Sequence, residues 1–139
     1  GSDVVITGFG KVGEPLGAML KKMGANVTVC ARRPSQRAKA RIMGLQAVDF
    51  SYLPECVLGA DVIFNTVPGR VIDREVLIGS KESLIIDLAS KPGGVDMEAA
   101  KDLGVKVIWA LGIPGKVAPI TAGNIIKETI CNIFGELGE

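Results

Sequence analysis

With 139 residues, 47% hydrophobic and 22% charged, the chain has the size and make-up of one globular domain with a proper core. A formal net charge of +1 and only one Trp, one Tyr and four Phe argue against a nucleic-acid surface, and no apolar run approaches the ~18 residues of a membrane span. Histidine is absent, and cysteines at 30, 56 and 131 form neither a C-x-x-C nor a zinc spacing, so no metal site is expected and a reducing cytoplasm fits.

The first apolar run, Val4-Val5-Ile6-Thr7, ends in Gly8-Phe9-Gly10-Lys11-Val12-Gly13. A strand closing on G-x-G-x-x-G predicts the turn that sets a dinucleotide pyrophosphate on a helix N-terminus. Gly8 serves the tight turn, Gly10 the close approach of phosphate, and Gly13 the packing of helix on strand. Downstream, Val12, Leu16, Met19, Leu20 and Met23 recur at helical spacing, Pro15 falls in the first turn, and Gly24 is the stop. A second apolar run, Val27-Thr28-Val29-Cys30-Ala31, leads into Arg32-Arg33-Pro34-Ser35. Where a binder of NAD carries Asp or Glu against the ribose 2′-hydroxyl, about 20 residues past the glycines, this chain has no acidic residue between Glu14 and Asp49. Two guanidiniums and the Ser35 hydroxyl would hold a 2′-phosphate, so NADP(H) is the expected cofactor. Arg37, Lys39 and Arg41 read as the outer face of the following helix.

Further on, apolar runs alternate with helical patterns, which predicts a Rossmann-type, doubly wound α/β fold: a parallel sheet of about six strands with helices on both faces. Strands are expected near 3–7, 26–31, 45–48, 61–66, 83–89 and 105–110, and helices near 11–23, 34–43, 51–58, 72–79, 95–103 and 121–137. The last helix repeats Ile125, Ile126, Ile130, Ile133, Phe134 and Leu137 broadly enough for two covered faces. The second face would meet a partner or a further domain; ordinary core packing is the other reading, and a homo-oligomer stays open.

Ligands of such sheets bind at the carboxyl ends of the strands. Three late strand ends are rich in Gly, Pro and small polar residues. They are Asn65-Thr66-Val67-Pro68-Gly69, Asp87-Leu88-Ala89-Ser90-Lys91-Pro92-Gly93-Gly94, and Leu111-Gly112-Ile113-Pro114-Gly115-Lys116-Val117-Ala118-Pro119. The first suits the adenosine side of the cofactor; the others suit a flat ring. Asp87, Lys91 and Lys116 are the titratable groups there, each open to a plain structural reading, and catalytic residues stay unassigned.

These loops resemble the C-terminal nucleotide-binding domain of the dipicolinate synthase A-subunit family. The likeness rests on Asp87-Leu88-Ala89-Ser90-x-Pro92-Gly93-Gly94 together with Ala110-Leu111-Gly112-Ile113-Pro114-Gly115-Lys116-Val117-Ala118-Pro119-x-Thr121-Ala122-Gly123. Gly8-Phe9-Gly10-Lys11-Val12-Gly13, Ala31-Arg32-Arg33 and Asn65-Thr66-Val67-Pro68 support it. The late Pro-Gly-x-Val-x-Pro-x-Thr turn alone is also similar to one in methylenetetrahydrofolate dehydrogenases. The resemblance implies a cytoplasmic, NADP-dependent oxidoreductase of spore-forming bacteria, acting on a CH–CH bond to oxidise dihydrodipicolinate, a small dicarboxylate, to dipicolinate on a branch of the lysine pathway. It also implies a partner, the flavoprotein-like B-subunit of dipicolinate synthase, and an N-terminal domain. Carried onto this chain, it gives Gly8, Gly10, Lys11, Val12 and Gly13 as the cofactor loop, and Ala31, Arg32, Arg33 and Ser35 as the 2′-phosphate turn. Asn65, Thr66, Val67 and Pro68 form the adenosine side, and Asp87, Ala89, Ser90, Leu111, Gly112 and Pro114 the nicotinamide side. Gly1-Ser2 before a strand, with no initiating methionine, reads as a cloning remnant. Residues 1–139 are therefore expected to be a single dinucleotide domain, inactive without the N-terminal domain. Two other classes remain open: the NADP-binding half of another two-domain reductase, and a non-catalytic nucleotide sensor. Sensors of that kind tend to keep an acidic residue after the second strand, where this chain has arginines.

Overall fold

The computed structural model describes residues 2–90 and 92–110. Six strands form one parallel sheet: β1 (Asp3–Thr7), β2 (Asn26–Ala31), β3 (Gln46–Asp49), β4 (Val62–Asn65), β5 (Leu84–Asp87) and β6 (Lys106–Trp109). Their order across the sheet is β3-β2-β1-β4-β5-β6, so the chain reverses its direction of travel at β1 and β4. That is the doubly wound arrangement, and a crevice opens where the two halves part.

Side chains alternate across each strand, and both sides of this sheet are apolar. Val4, Ile6, Val29 and Phe64 face α1 (Gly13–Lys22) and α2 (Pro34–Ile42), whose Leu16, Leu20 and Ala40 complete that core. Val5, Cys30, Ile63 and Ile85 face α3 (Leu53–Cys56), α4 (Arg74–Ile78) and α5 (Met97–Leu103) through Leu53, Leu77, Ala99 and Ala100. Two covered faces explain why the strands read as continuous Val/Ile runs. Among the described residues, no helix is long and apolar enough to cross a membrane.

Most elements lie where the sequence puts them, and α1 closes at Gly24, whose φ of +88° suits glycine. The expected helix over 51–58 is the exception. A 3-10 turn (Phe50–Tyr52) comes first, capped by the Asp49 side chain on the Ser51 amide, and a single α-helical turn, Leu53–Cys56, follows. Pro54 is the cause: without an N–H it cannot bond back to the preceding turn, so the 3-10 turn gives way to a new start with proline in its first turn. The expected helix over 121–137 lies outside the described residues.

Truncation of Leu20, fully buried between α1 and the sheet, is expected to cost about 2–5 kcal/mol as Leu20→Ala, whereas Ile42→Ala, at an 87% exposed site, stays within ~0.5 kcal/mol. Urea denaturation followed by circular dichroism checks the difference.

Candidate functional site

The carboxyl ends of β1 and β4 lie side by side, Thr7 opposite Asn65, and Asn65 lies opposite Asp87 of β5. These three last residues of their strands are buried and joined in a row. The Thr7 hydroxyl meets Asn65 Oδ1 at 2.5 Å, and Asn65 Nδ2 donates to Asp87 Oδ1 at 3.0 Å and to the Val67 carbonyl at 2.9 Å. Asp87 also accepts the Ala89 amide at 3.1 Å and, through Oδ2, the Gly94 amide at 2.7 Å. Buried polar groups are costly unless paired, and among the described residues no buried side-chain N or O atom is left without a partner. The row thereby fixes the turn from Asn65 to Pro68, while Gly69, Val71 and Ile72 bond the carbonyls of Gly93 and Gly94 and tie the β4 and β5 loops together. Trp109 closes the far end, its indole N–H donating to the Ala89 carbonyl at 3.0 Å.

Opposite this turn is the glycine loop. The Gly8 amide bonds the Cys30 carbonyl at 2.8 Å, and its φ of +85° turns the chain away from the strand. A Cβ on Gly8 would stand 2.5 Å from Thr66 Oγ1, and one on Gly13 would stand 2.6 Å from the Gly8 carbonyl oxygen. Gly10 differs, with nothing within 4 Å of its Cβ position. So Gly8 and Gly13 serve the close packing of the loop, and Gly10 faces open space. No side chain caps α1, and among the described residues the amides of Lys11, Val12 and Gly13 donate to no protein acceptor. Such free amides at a helix start are donors for an anion.

Between loop and turn lies a cleft of about 450 Å³. Gly8, Gly10, Lys11, Val12, Arg32, Arg33, Thr66, Val67 and Pro68 line it, nine of the residues the sequence singled out, and no carboxylate is among the lining side chains. Phe9, Gln36 and Phe50 line it as well, which sequence reasoning did not anticipate. Gln36 lies in the first turn of α2, and Phe50 is the first residue past β3; position beyond a third strand was the available signal.

Other singled-out residues sit elsewhere. Gly13 packs behind the loop, Ala31 is buried at the end of β2, and Ser35 is exposed on the first turn of α2, outside the cleft lining. Asn65 and Asp87 point into the buried row; Ala89 is buried and Ser90 exposed beyond it. Leu111, Gly112, Pro114, Lys91 and Lys116 lie outside the described residues. Arg37 is a correction. It does not join Lys39 on the outer face: its Nη1 donates to the carbonyls of Ala31 (2.8 Å) and Arg32 (2.9 Å) and to Asp49 Oδ1 (3.1 Å). Lys39 does face outward, 2.9 Å from Glu14, while Arg41 reaches the Ala47 carbonyl at 2.9 Å. The Asp49 carboxyl is held below its ordinary range, chiefly by the Ser51 hydroxyl and amide, with Arg37 adding to them. Behind the cleft, the Cys30 thiol is pushed far up by its hydrogen bond to Cys56 and by burial, so it stays protonated and is no nucleophile.

Comparison with known proteins agrees with this fold. Residues 1–88 match the model of the family described as D-isomer specific 2-hydroxyacid dehydrogenase, NAD binding domain. The A-subunit of dipicolinate synthase from Bacillus subtilis (strain 168) is 37% identical over 138 residues, covering 99% of this chain and 46% of that protein. The crystal structure of the dipicolinate synthase A-subunit from Bacillus halodurans superposes with a TM-score of 0.80 at 35% identity, over 96% of this chain and 46% of that one. The Bacillus subtilis structure gives a TM-score of 0.79 at 37% identity, over 98% of this chain and 47% of that one. The chain thus spans just under half the length of these relatives.

Two substitutions probe the site's construction. Gly13→Ala is expected to lose ~1–3 kcal/mol of stability, because its methyl meets backbone that must move, while Gly10→Ala changes stability by less than ~0.5 kcal/mol. Asp87→Asn turns an amide N–H₂ toward the groups that now donate to the carboxylate, and is expected to lose ~1–3 kcal/mol. Thermal melts of the purified variants read both.

Proposed function

The chain belongs to the family of D-isomer specific 2-hydroxyacid dehydrogenase NAD binding domains, and from that premise we propose that it is the NADP(H)-binding domain of a dipicolinate synthase A-subunit, a cytoplasmic oxidoreductase that converts dihydrodipicolinate to dipicolinate. One observation carries the choice of cofactor: the cleft beside the glycine loop is walled by Arg32 and Arg33 and by no carboxylate. A 2′-phosphate brings about two negative charges to that wall, where an acidic residue would repel it and a guanidinium fork accepts it.

The residues present fit a dinucleotide. Free amides at the start of α1 suit the pyrophosphate, and the open space at Gly10 admits it. Thr66, Val67 and Pro68 offer the adenosine side a surface that the buried row beneath holds still. When bound, the nicotinamide supplies hydride acceptance; the chain's own part is to bind it, orient it and keep its ribose phosphate in place. Dihydrodipicolinate must also lose a proton, and the aromaticity gained makes that loss easy, so a weak base or water suffices and the absence of histidine is no obstacle. Substrate binding falls to a further domain, and the synthase's B-subunit is the expected partner. In this reading residues 1–139 form a single dinucleotide domain, and the loop that leaves β5 serves the nicotinamide side.

Titration of the chain with NADPH and NADH, followed through Trp109 emission, tests the proposal, since reduced nicotinamide absorbs where indole emits. NADPH is expected to bind at least about tenfold more tightly, ~1.4 kcal/mol, with the preference falling toward parity in Arg32→Ala and Arg33→Ala. Preference for NADH would overturn it. In a longer form carrying a substrate domain, dihydrodipicolinate is expected to yield dipicolinate and NADPH one for one; NADPH formation from a 2-hydroxyacid instead would overturn the substrate.

A further inference from the structure

The ladder between β2 and β3 ends with Ala31 opposite Asp49, so Arg32 and Phe50 are the first residues beyond it on neighbouring strands. There the Arg32 guanidinium carbon stands 4.8 Å from the centroid of the Phe50 ring. A guanidinium over an aromatic face is attracted by the ring quadrupole. Its N–H donors lie in the plane and remain free for an oxyanion. Both residues line the cleft, and Arg32 is otherwise exposed, a long side chain with many rotamers.

The backbones under this pair are fastened together. One nitrogen of Arg37 bridges the carbonyls of Ala31 and Arg32 to the Asp49 carboxylate, at 2.8, 2.9 and 3.1 Å. The other Asp49 oxygen takes the Ser51 amide at 3.0 Å and the Ser51 hydroxyl at 2.6 Å, which fixes the turn that carries Phe50.

We propose that Phe50 is a positioning residue for cofactor selectivity: its ring holds Arg32 with the donor fork turned to the cleft, so discrimination in favour of a 2′-phosphorylated nucleotide depends on an aromatic side chain that does not itself bond the phosphate. Preorganisation is the physical content, because a guanidinium already held in place loses less freedom when the anion arrives. The inference rests on the NADP(H) reading above.

Calorimetric titration of the full chain with adenosine 2′,5′-bisphosphate and with 5′-AMP tests it. Wild type is expected to prefer the bisphosphate. Phe50→Leu is expected to weaken bisphosphate binding about three- to fivefold more than it weakens AMP binding, while Phe50→Tyr retains the wild-type preference. In an Arg32→Ala background, Phe50→Leu is expected to change the preference no further, because the ring acts through the arginine. Phe50→Leu with an intact preference, or with both ligands weakened equally, would overturn the proposal. Should Phe50→Leu fail to fold, Arg32→Lys decides: it keeps the charge and lacks the flat face, and a fully retained preference would overturn the stacking role. A wild-type chain that binds the two nucleotides alike would sink the NADP(H) reading itself, before any variant is made.

Discussion

Thr7, Asn65 and Asp87 form the constraint on which the rest of this molecule's binding edge depends. Each ends a strand, each is buried, and each spends its polar atoms on the next strand or on the loop above it. Parallel strands force the matter. Their ladders stop at one edge, and the backbone groups there need partners that regular structure no longer supplies. Side-chain amide and carboxylate take over that task, and in doing so they dictate the course of both loops. A cleft wall made of the short turn Thr66 to Pro68 can hold its shape only if something beneath it is rigid.

The opposite wall is built on a different principle. Arg32 and Arg33 are exposed, and their placement comes from strand register and from Arg37, whose guanidinium ties the two strand ends from below. One wall is thus neutral and set directly on the sheet; the other is cationic and carried on side chains. The division suits a ligand with a flat or neutral portion at one end and concentrated negative charge at the other. It also separates the demands of folding from those of recognition, since the arginine tips take no part in either apolar core.

Much of this was legible in the sequence because the signals are local. The strands, the glycine turn and the arginine pair each occupy consecutive residues, and a strand–turn–helix pattern needs no knowledge of the distant chain. Phe50 was not legible. It reaches the cleft through the pairing of β2 with β3, and nothing in Asp49-Phe50-Ser51 marks the ring as anything but core. Arg37 misled for a related reason: helical spacing puts it outside, yet a long side chain can fold back toward unpaired carbonyls. Asp87 was open to both a ligand-facing and a plain structural reading, and its bonds to three N–H groups give it a framework role that only the folded strand ends reveal. The break at Pro54 shows the same limit, a periodic pattern overruled by one missing donor.

The uncapped start of α1 has a thermodynamic side. Binding and folding are linked: a ligand held only by the native state lowers that state's free energy by an amount set by its concentration relative to its dissociation constant, about 2.7 kcal/mol at a hundredfold excess. In the proposed reading, the three backbone amides without an acceptor among the described residues are where that linkage would enter this chain. An anion seated there completes a helix as well as a complex. The melting temperature of the domain would then rise with the amount of nucleotide that surrounds it.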